Sequence, residues 1–201
     1  MKLKIIYENR FNLALKFIVE RLEKDLCENL NGIPRIDRIS IRAKSIDRFL
    51  KKSKKILDNG SLKYNDPINQ IQDQIGARVI VLYLDDVKVV ETELKKYYTP
   101  IEEQKLVPDS EKEFDYEGKH FVLLLPSDVL PEDVNENLSP QFFELQIKTL
   151  YQHAFSEASH DLAYKPEISL TREQKRKVAF TSAQSWGADQ IFSELSKELL
   201  N

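Results

Sequence analysis

Seven residues near the middle of the chain, ARVIVLY at 77–83, place the tightest limit on its fold. The run is nearly continuous in apolar side chains. A strand with one wet face alternates apolar and polar residues, so an unbroken run suits a central strand covered on both faces. The chain must therefore supply further strands to either side and helices to cover them.

The flanking sequence supplies both. The first thirty residues read as one helix, with Phe11, Leu15, Ile18, Leu22, Leu26 and Leu30 at helical spacing and Asn31-Gly32 as its stop. IDRISIR at 36–42 alternates, with Ile39 and Ile41 on one side and Arg38, Ser40 and Arg42 on the other, as a half-buried strand does. The pattern predicts a helix over 45–58 ending at Asn59-Gly60, then a short helix begun by Pro67 that leads to Asp73. Asp85-Asp86 cap a helix to about Tyr97. Strands are expected near 99–107, 119–125 and 141–148, then helices over 149–164 and 171–200. The class is α/β (α+β): a single mixed sheet of about five strands flanked by helices. At 201 residues it is expected to form one domain, 1–201, with a core near 36–166 and flanking helices 1–31 and 171–200.

Composition narrows the function classes. The chain is 41% hydrophobic and 31% charged with only five glycines, which argues against disorder and fibrous repeats. A net charge of −3 means that any nucleotide must be held by a local basic patch. One cysteine, Cys27, leaves no internal disulfide and fits a reducing, cytoplasmic setting. The start, MKLKIIYENRF, lacks a signal-peptide pattern, and no stretch is apolar for ~18 residues, so no membrane partner is expected.

The chemistry concentrates in a few segments. In FFELQIK at 142–148, period two sends Phe143, Leu145 and Ile147 to the core and leaves Glu144, Gln146 and Lys148 on the other face. The next helix has a predicted core stripe of Tyr151, Ala154, Phe155, Ala158 and Leu162, with His153, Glu157, His160 and Tyr164 opposite. That polar arc suits a nucleotide pocket better than zinc, whose helical histidine pair is closer-spaced. Asp73, ahead of Gly76-Ala77-Arg78, is a carboxylate at a strand entrance, where it could reach Mg²⁺, which takes one or two carboxylates plus substrate phosphates. Arg42, Lys44, Arg48, Lys51 and Lys52, with Lys54 and Lys55 beyond, form a basic run suited to a triphosphate or to a solvated face. Tyr116, beside Gly118, is a loop aromatic that could stack on a base. No glycine-rich phosphate loop of the Walker or dinucleotide kind is present.

In order, these pieces resemble the synthetase domain of the RelA/SpoT family, and its short alarmone synthetases in particular. IRAKSIDRFLKK at 41–52 is similar to the ATP-binding segment, and IQDQIGARVIVLY at 71–83 to the segment with the metal aspartate. DYEGKHF at 115–121 is similar to the acceptor-nucleotide loop, and FELQIKTLYQHAFSEASHDLAYK at 143–165 to the last catalytic strand and helix. Asp115 and Gly118 stand where the family loop has glycine and serine, Lys148 where it has arginine, and Arg48 where it has serine.

The resemblance implies a nucleotidyltransferase-like synthetase fold and a Mg²⁺-dependent transfer of the β,γ-pyrophosphate of ATP to the 3′-hydroxyl of GDP or GTP. It implies that Asp73 and Glu144 bind metal and catalyse, and that Arg42, Lys44, Arg48 and Lys52 bind ATP. Tyr116, His120, Gln146, Lys148, His160, Tyr164 and Lys165 fall to the acceptor nucleotide. The 3′ end of tRNA as acceptor and a catalytically silent nucleotide-binding regulator stand as alternatives. Self-association into a homo-oligomer is also expected, from the family and from the amphipathic terminal helices.

Overall fold

The computed structural model describes residues 2–106, 116, 118–131, 135–163 and 170–200. The N-terminal helix runs as α1 (Lys2–Arg10), a π-helical turn (Phe11–Leu15) and α2 (Lys16–Asn29). Then come β1 (Ile36–Ala43), α3 (Ile46–Ser53), α4 (Pro67–Gln70), β2 (Ile75–Val81) and α5 (Leu84–Tyr97). The hairpin strands β3 (Pro100–Leu106) and β4 (Gly118–Leu124) follow, then β5 (Phe142–Thr149), α6 (Leu150–Ala163) and α7 (Arg172–Leu200). The five strands form one sheet in the order β1-β2-β5-β4-β3. Among the described strands, β2 and β5 pair in parallel and the other pairs are antiparallel.

The sheet has two unlike faces. Ala77, Val79, Phe121, Leu123, Phe143, Leu145 and Ile147 are buried on one, in a core shared with Leu22 and Leu26 of α2 and Val87, Val90 and Leu94 of α5. Full burial of one such side chain contributes about 1.5–3 kcal/mol, so this face carries most of the stability. The other face is polar. Register sets Arg42, Gly76, Glu144 and Val122 in one row, and Ser40, Arg78, Gln146 and His120 in the next. Among the described residues, α6, backed by α7, covers the far end of this face, and clefts open over the rest.

Three local differences from the sequence-based expectations have physical causes. The helix expected over 45–58 stops at Ser53. Residues 55–63 instead fold back around Asn59-Gly60: Gly60 takes φ +81, Asn59 Oδ1 accepts the Ser61 N–H, and Ile56 bridges Leu62. Asn-Gly is a hairpin signal as well as a helix stop, and here the hairpin wins. The single N-terminal helix is interrupted by its π turn, which lets Ala14 and Leu15 bury side by side.

The third difference is the stripe of α6. Phe155 is buried as expected, but Leu162 is 51% exposed, and Ala154 and Ala158 also face out. Gln152 and Ser156 are buried in their place. The helix lies on the polar face of the sheet, so its polar residues turn inward: Gln152 Oε1 accepts the Thr149 N–H, and Ser156 Oγ accepts from Lys148 Nζ.

Candidate active site

The open part of the polar face holds two clefts that meet at the sequence-expected carboxylates. One, of about 750 Å³, lies over β1, β2 and α3. Among the described residues, Arg42, Lys44, Arg48, Lys51, Lys52, Lys54, Lys55 and Arg78 line it against two acids, Asp73 and Glu144. Its field therefore favours a polyanion even though the whole chain is acidic. The other, of about 490 Å³, lies toward β4 and is lined by Lys63, Tyr64, Gln70, Gln72, Glu102, His120 and Val122. Lys52, Asp73 and Glu144 line both.

Strand geometry makes this floor. Arg42, Gly76 and Glu144 stand side by side on three adjacent strands, and above Gly76 there is open space where a side chain would project. A larger residue there would fill the gap between Arg42 and Glu144. Asp73 enters from the turn just before β2. Lys44 follows β1 directly, and its N–H bonds the Gln74 carbonyl at 2.8 Å. Lys52 comes from α3, whose start is capped by Ser45 Oγ accepting the Arg48 N–H. Both lysines converge on Asp73 Oδ2, Lys44 at 2.8 Å and Lys52 at 2.7 Å. Burial pushes the Asp73 carboxyl up. The charges and hydrogen bonds of Lys44 and then Lys52 outweigh burial and hold it below the usual carboxylate range.

Glu144 is held from the β4 side. Its Oε1 lies 3.1 Å from His120 Nδ1 and accepts from Gln146 Nε2 at 3.3 Å. Burial raises this carboxyl too, but the His120 contact and then the Gln146 amide bring it below its ordinary value, with Asp73 pushing back. Seven buried side-chain polar atoms among the described residues have no protein partner, and three of them are here: Asp73 Oδ1, His120 Nε2 and Gln146 Oε1. Buried polar atoms are normally satisfied, so such a cluster in an open cleft marks a ligand site.

Arg42, Arg48, Gln146 and His160 line the basic cleft. Lys148 is only 3% exposed and turns under α6 toward Ser156 rather than standing beside Glu144. Tyr116 lines neither cleft; its hydroxyl donates to Asp189 Oδ2 of α7 at 2.6 Å. Asp189 also accepts from Thr149, and burial pushes its carboxyl up despite both hydroxyls. Asp115, Tyr164 and Lys165 lie outside the described residues.

Gly118 has a physical reason to be glycine. Its φ is +97, and a Cβ there would sit 2.9 Å from the Ile147 carbonyl oxygen and from Lys148 Cγ.

Two groups of site residues escaped the sequence reading. Arg78 lines the basic cleft, with its guanidinium 2.8 Å from Glu157 and 3.1 Å from His153. Burial, then the Arg78 charge, pushes the His153 imidazole down. The signal for Arg78 was available, as the lone charge in an apolar run. Lys63 and Tyr64 carry no pattern; the hairpin at 55–63 brings them to the β4-side cleft.

Comparison with known proteins adds a second line. Residues 41–169 match the family model described as the region found in RelA/SpoT proteins. The chain is 24% identical over 166 residues to the GTP pyrophosphokinase YjbM of Bacillus subtilis (strain 168), covering 82% of this chain and 74% of that protein. Its fold matches the small alarmone synthetase 1 of Bacillus subtilis bound to its product pppGpp, with a TM-score of 0.75 at 22% identity. That match covers 96% of this chain and 98% of the other. The same enzyme bound to AMPCPP matches with a TM-score of 0.66 at 19% identity, over 91% and 95% of the two chains.

Proposed function

Since this chain belongs to the RelA/SpoT family, we propose that it is an ATP-dependent pyrophosphokinase that modifies the 3′-hydroxyl of GDP or GTP, making (p)ppGpp and AMP. The observation that carries this reading is the junction of two clefts at Asp73 and Glu144, one cleft strongly basic and the other lined by His120. A transfer between two nucleotides needs two sites that share one reacting point.

In this reading ATP lies in the basic cleft. Lys44, Lys52, Arg42 and Arg48 neutralise its phosphates, since phosphoryl-type transfer depends on positioning and charge neutralisation more than on covalent help. The acceptor 3′-oxygen attacks the β-phosphorus, the bond from the β-phosphorus to the α-phosphate oxygen breaks, and AMP leaves. Glu144 takes the proton of the attacking hydroxyl. Its low proton affinity keeps it ionised at neutral pH, and His120 and Gln146 orient it. On the acceptor side His120 lines the second cleft, and the family resemblance adds Tyr164 and Lys165; Gln146 and His160 line the ATP cleft instead, and Tyr116 and Lys148 line neither, being bonded to Asp189 and Ser156.

Asp73, with Glu144, would hold Mg²⁺, which when bound supplies charge neutralisation across the phosphates. The residues fit it: both carboxylates line both clefts, Asp73 Oδ1 has no protein partner, and Mg²⁺ typically takes one or two carboxylates and completes its shell with substrate oxygens and water. The YjbM name and the pppGpp- and AMPCPP-bound relatives support the nucleotide pair. The cytoplasm, where both nucleotides are found, is the setting that goes with this reading, and no described helix is long and apolar enough to cross a membrane. Self-association is also part of it, and α7 leaves Phe180, Ile191 and Leu199 exposed for it.

The test is direct. The protein is incubated with Mg²⁺ and γ-labelled ATP, with GMP, GDP, GTP or deacylated tRNA offered in turn. Label in GDP or GTP is the expected result. Label in tRNA alone, or ATP binding without transfer to any acceptor, would overturn it.

A further inference from the structure

We propose that Tyr7 and Arg10 of the N-terminal helix are positioning residues for the Asp73 cluster, holding Lys44, α3 and the Ile68–Gln74 segment in mutual register. The inference rests on the role given above to Asp73 and Lys44. The pair lies outside residues 41–169, the stretch that carries the family match.

Residues three apart share a helix face, and Tyr7 and Arg10 are both buried, at 0% and 4% exposure. The face they share meets both chain segments that build the cluster. Tyr7 donates its hydroxyl to the Lys44 carbonyl at 2.7 Å. Its ring lies parallel to that of Phe49, centroids 3.6 Å apart, which ties it to α3 and so to Lys52. Arg10 Nη1 donates to the Ile68 carbonyl at 2.9 Å and to Gln74 Oε1 at 3.1 Å, and Nη2 donates to the Asn137 carbonyl. Gln74 in turn donates Nε2 to the Ile68 and Ile71 carbonyls. Asp73 therefore sits in a turn whose two ends are fixed by one guanidinium.

Packing alone does not account for these residue types. A buried guanidinium is costly unless its donors are used; Arg10 uses both terminal nitrogens, while its buried Nε has no partner, and a phenol that only filled space would be served as well by phenylalanine. The π turn that follows immediately is where the helix changes register, between the contacts of Tyr7 and Arg10 and the core stripe from Leu15 onward. Such turns recur at functional sites.

Tyr7→Phe tests this, because it keeps the ring on Phe49 and removes only the hydroxyl. The expected result is a fall in kcat of roughly 10- to 100-fold, the scale of an ångström-level misplacement, with little change in acceptor KM. A second readout is independent of catalysis: acylation of Lys44 by acetic anhydride, followed by mass spectrometry, should be several-fold faster in Tyr7→Phe. Lys88 and Lys177, on the surface, serve as internal standards. Leu22→Val, which loosens the core away from the site, should keep kcat. An unchanged kcat with an unchanged Lys44 acylation rate would overturn the proposal, as would an equal kcat loss in Leu22→Val. If the wild-type protein transfers no pyrophosphate, the pyrophosphokinase reading fails. Lys44 acylation then decides the positioning alone, faster in Tyr7→Phe supporting it and unchanged overturning it.

Discussion

Replacing Glu144 with glutamine removes one negative charge and leaves the side chain the same size, so it separates chemistry from architecture at the centre of the site. The structural cost is small. Glu144 accepts from Gln146 Nε2 at 3.3 Å and lies 3.1 Å from His120 Nδ1, and a glutamine oxygen can still accept at the same place. The charge component is screened, because the Glu144 side chain is 24% exposed; partly exposed pairs contribute about 0–1 kcal/mol. For a chain of this size that is a shift of about 4 °C or less in thermal midpoint. The chemical cost is larger. Loss of a general base lowers the rate roughly 10²–10⁴-fold. At about 1.36 kcal/mol per tenfold, that is about 2.7–5.4 kcal/mol of barrier.

The assay is the initial rate of label transfer from γ-labelled ATP to GDP at saturating substrates, with products resolved by chromatography and the midpoint followed by fluorimetry on the same samples. A rate within about threefold of wild type, under 1 kcal/mol of barrier, would refute the role of Glu144. The same variant reports on acid stability. In the fold Glu144 and Asp73 are held below their ordinary values of 4.5 and 3.8. Each therefore contributes stability that is present above its unfolded value and lost as pH falls through the lower folded one. Glu144→Gln should flatten its share of the stability loss below about pH 4.5, and an unchanged acid limb would contradict the shift.

Three further outcomes are expected. Lys52→Ala removes an ammonium 2.7 Å from Asp73 and should raise the ATP concentration for half-maximal rate roughly tenfold, the scale of one charge-assisted hydrogen bond; an unchanged value in steady-state kinetics would remove Lys52 from the ATP site. Asp189→Asn should raise the thermal midpoint more at pH 8 than at pH 4. The raised Asp189 carboxyl gives stability at low pH that is lost as pH climbs through its folded value, so equal effects at both pH values would count against it. Leu26→Ala, at a site with 0% exposure between α2 and the sheet, should cost about 2–5 kcal/mol in urea unfolding; a cost below 1 kcal/mol would mean that the α2 layer is not part of the main core.

Much of the fold was legible because its signals are local. ARVIVLY does form the core of a central strand, β2, paired on both sides. The period-two reading of FFELQIK sends Phe143, Leu145 and Ile147 to the core, as found. The stripe from Leu15 to Leu30 is buried. The structure departs from the sequence pattern where two local signals compete or where a partner lies far along the chain. Asn59-Gly60 could end a helix or turn a hairpin, and its surroundings chose the hairpin. The spacing of α6 predicts an apolar buried stripe because a helix facing a core buries apolar residues, yet this one faces Lys148 and the Thr149 backbone.

The candidate site divides along the same line. The ordered residues Arg42, Lys44, Lys52, Asp73 and Glu144 were identifiable from their types and spacing together with a family resemblance. Sequence alone could not say that both lysines share Asp73 Oδ2, that Gly76 leaves the floor open between Arg42 and Glu144, or that the Tyr116 hydroxyl is held by Asp189, 73 residues away. Nor did the apolar spacing of the first helix show Tyr7 and Arg10 gripping segments 37 to 127 residues further on. The physical reason is one of range. Periodicity and residue type determine which face of a strand or helix is apolar. Hydrogen bonds and ion pairs act over about 3 Å, and only the packed chain decides which distant side chains come that close.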